Sequence, residues 1–478
     1  MKKTSTKIIL LAQLIFCLCN VQKINAQTYD ALNISLLGRF NDTTYIANNW
    51  VNSKYAGCWG WYNPADNKEY AIVGGSNGTY FIEITNPATP VVRDYIPGIQ
   101  VNCVWREIKT YQNYCYIVSD DTPPNGLQIA DMSYLPDSVH VVHSGNSIIE
   151  QCHTIFVDGN KLYGGYVRGG VVGFSASMAV FSLANPAAPS LLRKLDQDDP
   201  TIGLVHDMFV RNDTVYASCG FDGLFLYKFN TANNTFSALA NLTSYPDQGY
   251  NHSGSLTDDG NTFIFMDEVP DGMAIKSLDV SDIANPNVVA TFRSSIGDTP
   301  HNPFVIGNNY VVCANYQDGI QVYDISDPVN PLRTGYFDTH WQTTISDTMW
   351  SYLGCWGAYP YLPSGNLIAI DMQNGLYVLN AASALGIPQS PAAPQNAANI
   401  YYDGSSNSFN VLISSAVKQN ISIELFDMLG QMVYSKNNTF IAGSSSMTIG
   451  TNRFTKGIYT LNLKGENFSF TKKVCKPE

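Results

Sequence analysis

Four histidines, His153, His206, His252 and His301, stand 53, 46 and 49 residues apart, and each opens a strand-like run. Arg106 stands 47 residues before the first of them, at the same point of the pattern. Glu107, Asp207 and Asn302 each follow directly on a member of this series. Neutral imidazoles beside carboxylates are competent ligands for zinc, copper, nickel or iron. The series therefore predicts a divalent transition-metal site on His153, His206, His252 and His301, with Arg106, Glu107, Asp207 and Asn302 as ligand-binding groups in the same layer. Two other uses of the same residues stay open. Each histidine could bond a loop carbonyl and hold repeated units in register, or the layer could bind a ligand without metal.

Residues fifty positions apart meet only if the chain returns the same position to the same place, and the sequence between them repeats. The clearest unit is His301 to Pro331, with strands predicted at Asn302 to Ile306, Tyr310 to Ala314 and Ile320 to Ile325, turns at Gly307-Asn308-Asn309 and before Gly319, and a fourth strand over Leu332 to Phe337. Seven copies align, opening at Gly60, Arg106, His153, His206, His252, His301 and Gly357. A second landmark opens each third strand, at Gly78, Gly126, Met178, Gly223, Met273, Gly319 and Gly375, where glycine suits a tight turn of positive φ. A four-stranded unit recurring at this period cannot bury both its faces alone, and the pattern predicts an all-β chain with a seven-bladed β-propeller over 27–386. The seventh copy lacks a fourth strand. Ile34 to Phe40 resembles the fourth strands Ser190 to Asp196 and Leu332 to Asp338, and is expected to fill the vacancy and close the ring. Cys58 and Cys355 hold the same place before Trp59-Gly60 and Trp356-Gly357, so a disulfide across the closure is a further expectation.

Composition sets the address. With 45% apolar and 12% aromatic residues, 478 residues are ample for a packed core. Lys2, Lys3 and Lys7, an apolar run from Ile8 to Cys19 and the Ile24-Asn25-Ala26 end read as a signal peptide over 1–26. Its removal takes four lysines and no acids, so the formal charge goes from −12 to −12 − 4 = −16. An acidic surface of this size argues against nucleic acid as a partner. No later segment has the length and apolarity to span a bilayer. Of the eight cysteines left, none forms a CxxC pair, and Cys219 and Cys313 sit in apolar runs as expected for buried small hydrophobes.

The Pro- and Ala-rich stretch 387–396 reads as a linker, and 397–478 as a separate small Ig-like β-sandwich. Leu425-Phe426-Asp427-Met428-Leu429-Gly430-Gln431, then Gly457-Ile458-Tyr459, then Phe470-Thr471-Lys472-Lys473-Val474 resemble the type A sorting domain of the type IX secretion system of Bacteroidetes. The resemblance implies export across the outer membrane through that machinery, to a secreted or surface-attached state. The repeats resemble the choice-of-anchor B family, related to LVIVD-repeat proteins. The matching pieces are Trp59-Gly60, Trp105-Arg106-Glu107, His153, His206-Asp207, His252 with Asp267-Glu268, His301-Asn302 and Trp356-Gly357 with Pro363-Ser364-Gly365. That family is more often aspartate where this chain has Glu107, and the resemblance implies a secreted propeller with no assigned activity.

Other motifs are weaker. Gly74-Gly75-Ser76-Asn77-Gly78 matches GxSxG but lies between two predicted strands, which argues against a nucleophile elbow. Asp267-Glu268 reads as an orienter of His252 or as a solvated turn, and Trp59, Trp105 and Trp356 as packing between blades or as a sugar-stacking platform. Two functions follow: a secreted module binding a polysaccharide, protein or small ligand on one face, or a metal-dependent hydrolase or oxidoreductase using the histidine layer.

Overall fold

The computed structural model describes residues 29–295, 297–341, 353–387, 397–403, 407–415, 418–440, 443–465 and 468–476. The predicted signal peptide and residues 388–396 of the predicted linker lie outside the described residues. The chain divides into two compact units, Met1–Gly386 and Ile387–Glu478. Both are all-β, and among the described residues the helical content is two single turns of 3-10 helix, Gly170–Val172 and Leu195–Gln197.

The described residues of the first unit form seven antiparallel sheets, five of them built of four consecutive strands and two completed by strands from the N-terminal segment. The sixth sheet shows the pattern: Asn302–Ile306, Tyr310–Asn315, Gly319–Asp324 and Leu332–Phe337. Successive sheets pack face to face, and the seventh packs on the first. Alternate residues of one middle strand serve the two layers: Leu367 and Ala369 of Asn366–Asp371 pack toward the sixth sheet, Ile368 and Ile370 toward the first. A strand buried on both faces has no polar alternation to display, so these segments read as unbroken apolar runs. Small four-stranded sheets of this kind fit a β-propeller.

The N-terminal segment does more than expected. Ser35–Phe40 pairs with Gly375–Asn380 as the fourth strand of the seventh sheet, and Ala31–Leu32 adds a fifth strand to the sixth through Phe337 and Tyr336. Asn33, at φ 56°, makes the kink between them.

The repeated glycines have a common reason. A Cβ on Gly78, Gly126, Gly223, Gly319 or Gly375 would stand 2.3 to 2.4 Å from a carbonyl oxygen at the end of the fourth strand: Ile96, Gly145, Leu242, Phe337 and Phe40 respectively. Three of them, Gly223, Gly319 and Gly375, also have positive φ as predicted, whereas Gly78 and Gly126 do not. Close approach of the outer strand, more than turn geometry, excludes a side chain here.

The predicted Cys58–Cys355 disulfide does not form, and all eight described cysteines are free thiols. Cys58 packs in the layer between the seventh and first sheets and Cys355 in the layer between the sixth and seventh. The two sulfurs thus serve opposite faces of the seventh sheet, a relation that equivalence in sequence could not reveal.

The second unit is a two-layer sandwich. Ala397–Asp403, Ser408–Ser415 and Gly443–Gly450 form one sheet; Met432–Phe440, Gln419–Phe426, Gly457–Gly465 and Phe468–Lys476 form the other. Phe409, Val411 and Ile449 from the first meet Ile421, Ile423, Leu425, Leu461 and Leu463 from the second in one core. Gln419–Phe426 alternates buried with less buried residues, as a half-solvated strand should.

Candidate functional site

The predicted site residues lie in or directly before the first strands of the sheets, and six of the seven sheets contribute one ring to a continuous stack of ring contacts, near-parallel between the two tryptophans and tilted by 45 to 51° elsewhere. Ring centroids run from Trp105 to Trp356 (5.2 Å), Trp356 to His301 (4.2 Å), His301 to His252 (4.3 Å), His252 to His206 (4.4 Å) and His206 to His153 (4.3 Å). In the second and seventh sheets the stacked residue is the tryptophan preceding Arg106 and Gly357, one position off the sequence alignment. His252 and Trp356 each sit at an irregularity in strand register, which turns one residue out of the alternation.

A cavity of about 30 Å³ lies against this stack. Its wall includes Arg106, Glu107, His153, His206, Asp207, His252 and Asn302, together with Trp105, Thr154 and Trp356; His301 is not in the wall. The side of Gly60 and Gly357 is filled: Trp356 lies in the cavity wall there, and a Cβ on Gly60 would strike the Tyr359 ring at 2.2 Å. A second cavity of about 130 Å³ shares Glu107, Asp207, Asn302 and Trp356 with the first and continues between the aromatic rings of Trp59, Phe156, Phe209 and Tyr361. The first holds a water or two, or a bare ion, and is too small for a sugar ring.

The four histidines are not equivalent. His206 Nδ1 donates to the His252 carbonyl at 3.2 Å and His301 Nδ1 to the Trp356 carbonyl at 2.5 Å, each a bond to the next sheet. These two hold neighbouring sheets in register. Burial, with neighbouring histidines next in rank, pushes His206 well below the ordinary histidine range, and burial does the same to His301. His153 instead faces a carboxylate, with Nδ1 2.7 Å from Asp120 Oδ2. Burial lowers its pKa, but the Asp120 charge and hydrogen bond outweigh this and raise it to about 9. His252 Nε2 stands 3.8 Å from Glu268 Oε2.

The remaining predicted groups have their own partners. The Arg106 guanidinium is buried and donates to the carbonyls of Gly75 and Gln100, both at 2.7 Å, so it ties the first sheet to the second. Glu107 pairs with Lys109, which lies 4.4 Å from the Trp59 ring centre; burial raises the Glu107 carboxyl. Asp207 accepts from Thr154 Oγ1 at 3.0 Å, and Asn302 Nδ2 donates to the Trp356 carbonyl at 3.3 Å. Ser76 of the GxSxG match donates to the Ile46 carbonyl at 2.6 Å with no histidine beside it among its described partners.

Among the described residues, one group of three has ligand atoms close enough to hold a metal: His252, Glu268 and His301, mutually within 4.8 Å. His153 and His206 are outside it, so the structure does not bring the four predicted ligands to one point. Glu268 was legible only as half of Asp267-Glu268. Its partner Asp267 turns the other way, into a buried ion pair with Lys276 at 2.7 Å.

The first unit is thus an all-β ring of small sheets around a histidine-lined cavity, and the second a β-sandwich. Residues 399–476 match the family model of the secretion system C-terminal sorting domain. This part of the chain is a type IX secretion sorting domain, which implies engagement of that machinery and a secreted or cell-surface destination. Among the described residues no helix is long and apolar enough to cross a membrane. No curated protein matches the chain. Similar solved structures include a "putative 6-phosphogluconolactonase" from Bacteroides uniformis ATCC 8492, with 11% identity, TM-score 0.46, and coverage of 88% of this chain and 100% of that one. Another of the same description from Bacteroides fragilis NCTC 9343 has 11% identity, TM-score 0.46, and coverage of 86% and 100%. At these TM-scores neither likeness carries an argument.

Proposed function

We propose that the first unit is a seven-bladed β-propeller of the choice-of-anchor B type, that a signal peptide ending near Ala26 starts its export, and that it acts outside the cell as a binding module. The ligand face is the mouth of the histidine cavity. The observation that carries this reading is an aromatic rim. Trp50, 68% exposed, meets Trp105 edge-on at 6.0 Å. Phe221, 66% exposed, meets Tyr250 at 5.1 Å, and Tyr250 meets His206 at 5.2 Å. Rings therefore extend from the cavity wall to solvent at two places. Exposed aromatics beside a polar cavity too small for a sugar suit a polysaccharide lying across the mouth.

The test is affinity electrophoresis of the mature protein through gels containing soluble polysaccharides, with the Trp50→Ala and Phe221→Ala variants run beside it. Retardation by at least one glycan, lost in both variants at unchanged melting temperature, is the expected result. Equal mobility of wild type and variants in every gel removes the glycan, leaving a protein or small ligand for this face. A second reading, a metal-dependent hydrolase or oxidoreductase, is favoured by the approach of His252, Glu268 and His301.

A further inference from the structure

The geometry points to a mononuclear site for a divalent transition metal, zinc by ligand type, held by His252, Glu268 and His301 and not by the four histidines of the stack. Any three atoms mutually within 4.8 Å share a point no farther than 4.8/√3, about 2.8 Å, from each. Zinc bonds to His nitrogen and carboxylate oxygen are about 2.0 to 2.2 Å. Side-chain shifts under ~1 Å complete the contacts.

Two of the three ligands, His301 and Glu268, are already oriented by a second bond. His301 Nδ1–H is taken by the Trp356 carbonyl, so Nε2 carries the lone pair. That Nε2 is buried without a hydrogen-bond partner, in a side chain only 2% exposed. Tyr316 donates its hydroxyl to Glu268 Oε1 at 2.5 Å, which leaves Oε2 as the oxygen turned toward His252. His252, 4% exposed, faces that oxygen through Nε2. The buried, unpaired His301 Nε2 costs stability unless something binds it, and a cation shared with Glu268 and with the His252 Nε2 that faces it supplies that partner.

Two histidines and one carboxylate leave an ion with an open position, as in catalytic and not structural sites. His252 also belongs to the cavity wall, so that position is reachable by water or by a ligand group from the channel. The site is independent of the glycan reading and deepens the second one.

The test uses the full mature chain purified without a polyhistidine tag, stripped with chelator, then loaded with Zn²⁺ alone or Co²⁺ alone and desalted. Wild type should retain about one equivalent of zinc and show visible cobalt bands. Glu268→Gln keeps the size of the side chain and its Tyr316 bond, and should lower retention at least ~10-fold. His301→Gln should do the same, and His153→Gln should leave the stoichiometry unchanged. Metal lost from His153→Gln but kept by Glu268→Gln would reinstate the four-histidine site and overturn this one. So would wild-type retention no greater than that of Glu268→Gln. Glycan retardation repeated on the stripped protein fails or succeeds separately.

Discussion

Replacing Asp120 by Asn tests the electrostatics of the stack at His153, whose ring is hydrogen-bonded to a carboxylate. His153 has its pKa raised to about 9 in the folded protein, against 6.5 for the free side chain. A pKa raised by folding stabilises the native state below the unfolded value, and the contribution is lost as pH rises through the folded one. The difference of about 2.5 pK units at 1.36 kcal/mol each is about 3 kcal/mol at pH 6. The same linkage leaves about 1 kcal/mol at pH 8 and close to none at pH 10. With Asp120→Asn the main charge that opposes burial is gone, and desolvation of the imidazole is opposed only by the weaker pull of Asp207 and Glu268. Urea unfolding in chelator at pH 6, 8 and 10 should therefore show a gap between wild type and variant that closes as pH rises. Site-resolved NMR of the His153 ring supplies the direct reading. A gap that is the same at all three pH values, or a ring that titrates below pH 7 in the native protein, would refute the argument.

Two other perturbations address construction and export. Deleting Ala31–Phe40 removes the outer strand of the seventh sheet and the added strand of the sixth; calorimetry should show loss of the cooperative transition or a fall in Tm of more than ~10 °C, and unchanged melting would show that closure rests on the inner strands alone. Truncation after Gly386 should leave the first unit melting as before while culture fractionation finds it retained inside the native host, and export of that fragment would show that the sorting domain is dispensable.

Much of this architecture was legible because turns punctuate it. The predicted strands Asn302 to Ile306 and Leu332 to Phe337 match the observed ones residue for residue, since Gly307-Asn308-Asn309 and Asp327-Pro328 leave no choice of boundary. The strand Ala397–Asp403 is harder to separate from the Pro- and Ala-rich stretch before it, because its opening Ala-Ala-Asn carries little strand preference. In the site, the spacing of histidines announced that they belong to one layer but not which way each ring nitrogen faces. That depends on carbonyls of the next sheet, His252 and Trp356, about fifty residues away. The displacement from Gly357 to Trp356 escaped for a related reason. An irregularity in strand pairing moves a side chain across the sheet without changing residue type. Glu268 was visible as a carboxylate; its use depends on Tyr316, which no local pattern links to it.

Asp267 shows how the fifth sheet keeps Glu268 in place. It is fully buried and accepts from Lys276 Nζ at 2.7 Å, Gly249 N at 2.8 Å and Tyr245 Oη at 3.0 Å. Lys276 is fully buried too, and burial lowers its pKa despite the opposing charge. Its ammonium therefore remains because Asp267 is there. Lys276→Met keeps the chain length but leaves a buried carboxylate with one donor fewer and no counter-charge, and should cost about 3 to 5 kcal/mol. Adding Asp267→Asn removes the uncompensated charge; its amide oxygen can still accept from Gly249 while its NH2 donates to Tyr245 Oη, so the double variant should recover most of that loss. Because Glu268 is the next residue, the single variant should also weaken zinc retention, and the double variant should restore it. Denaturant unfolding of the four proteins in the cycle gives the coupling energy. A coupling near zero, with Lys276→Met as stable as wild type, would mean that the ion pair contributes nothing and that the backbone alone positions Glu268.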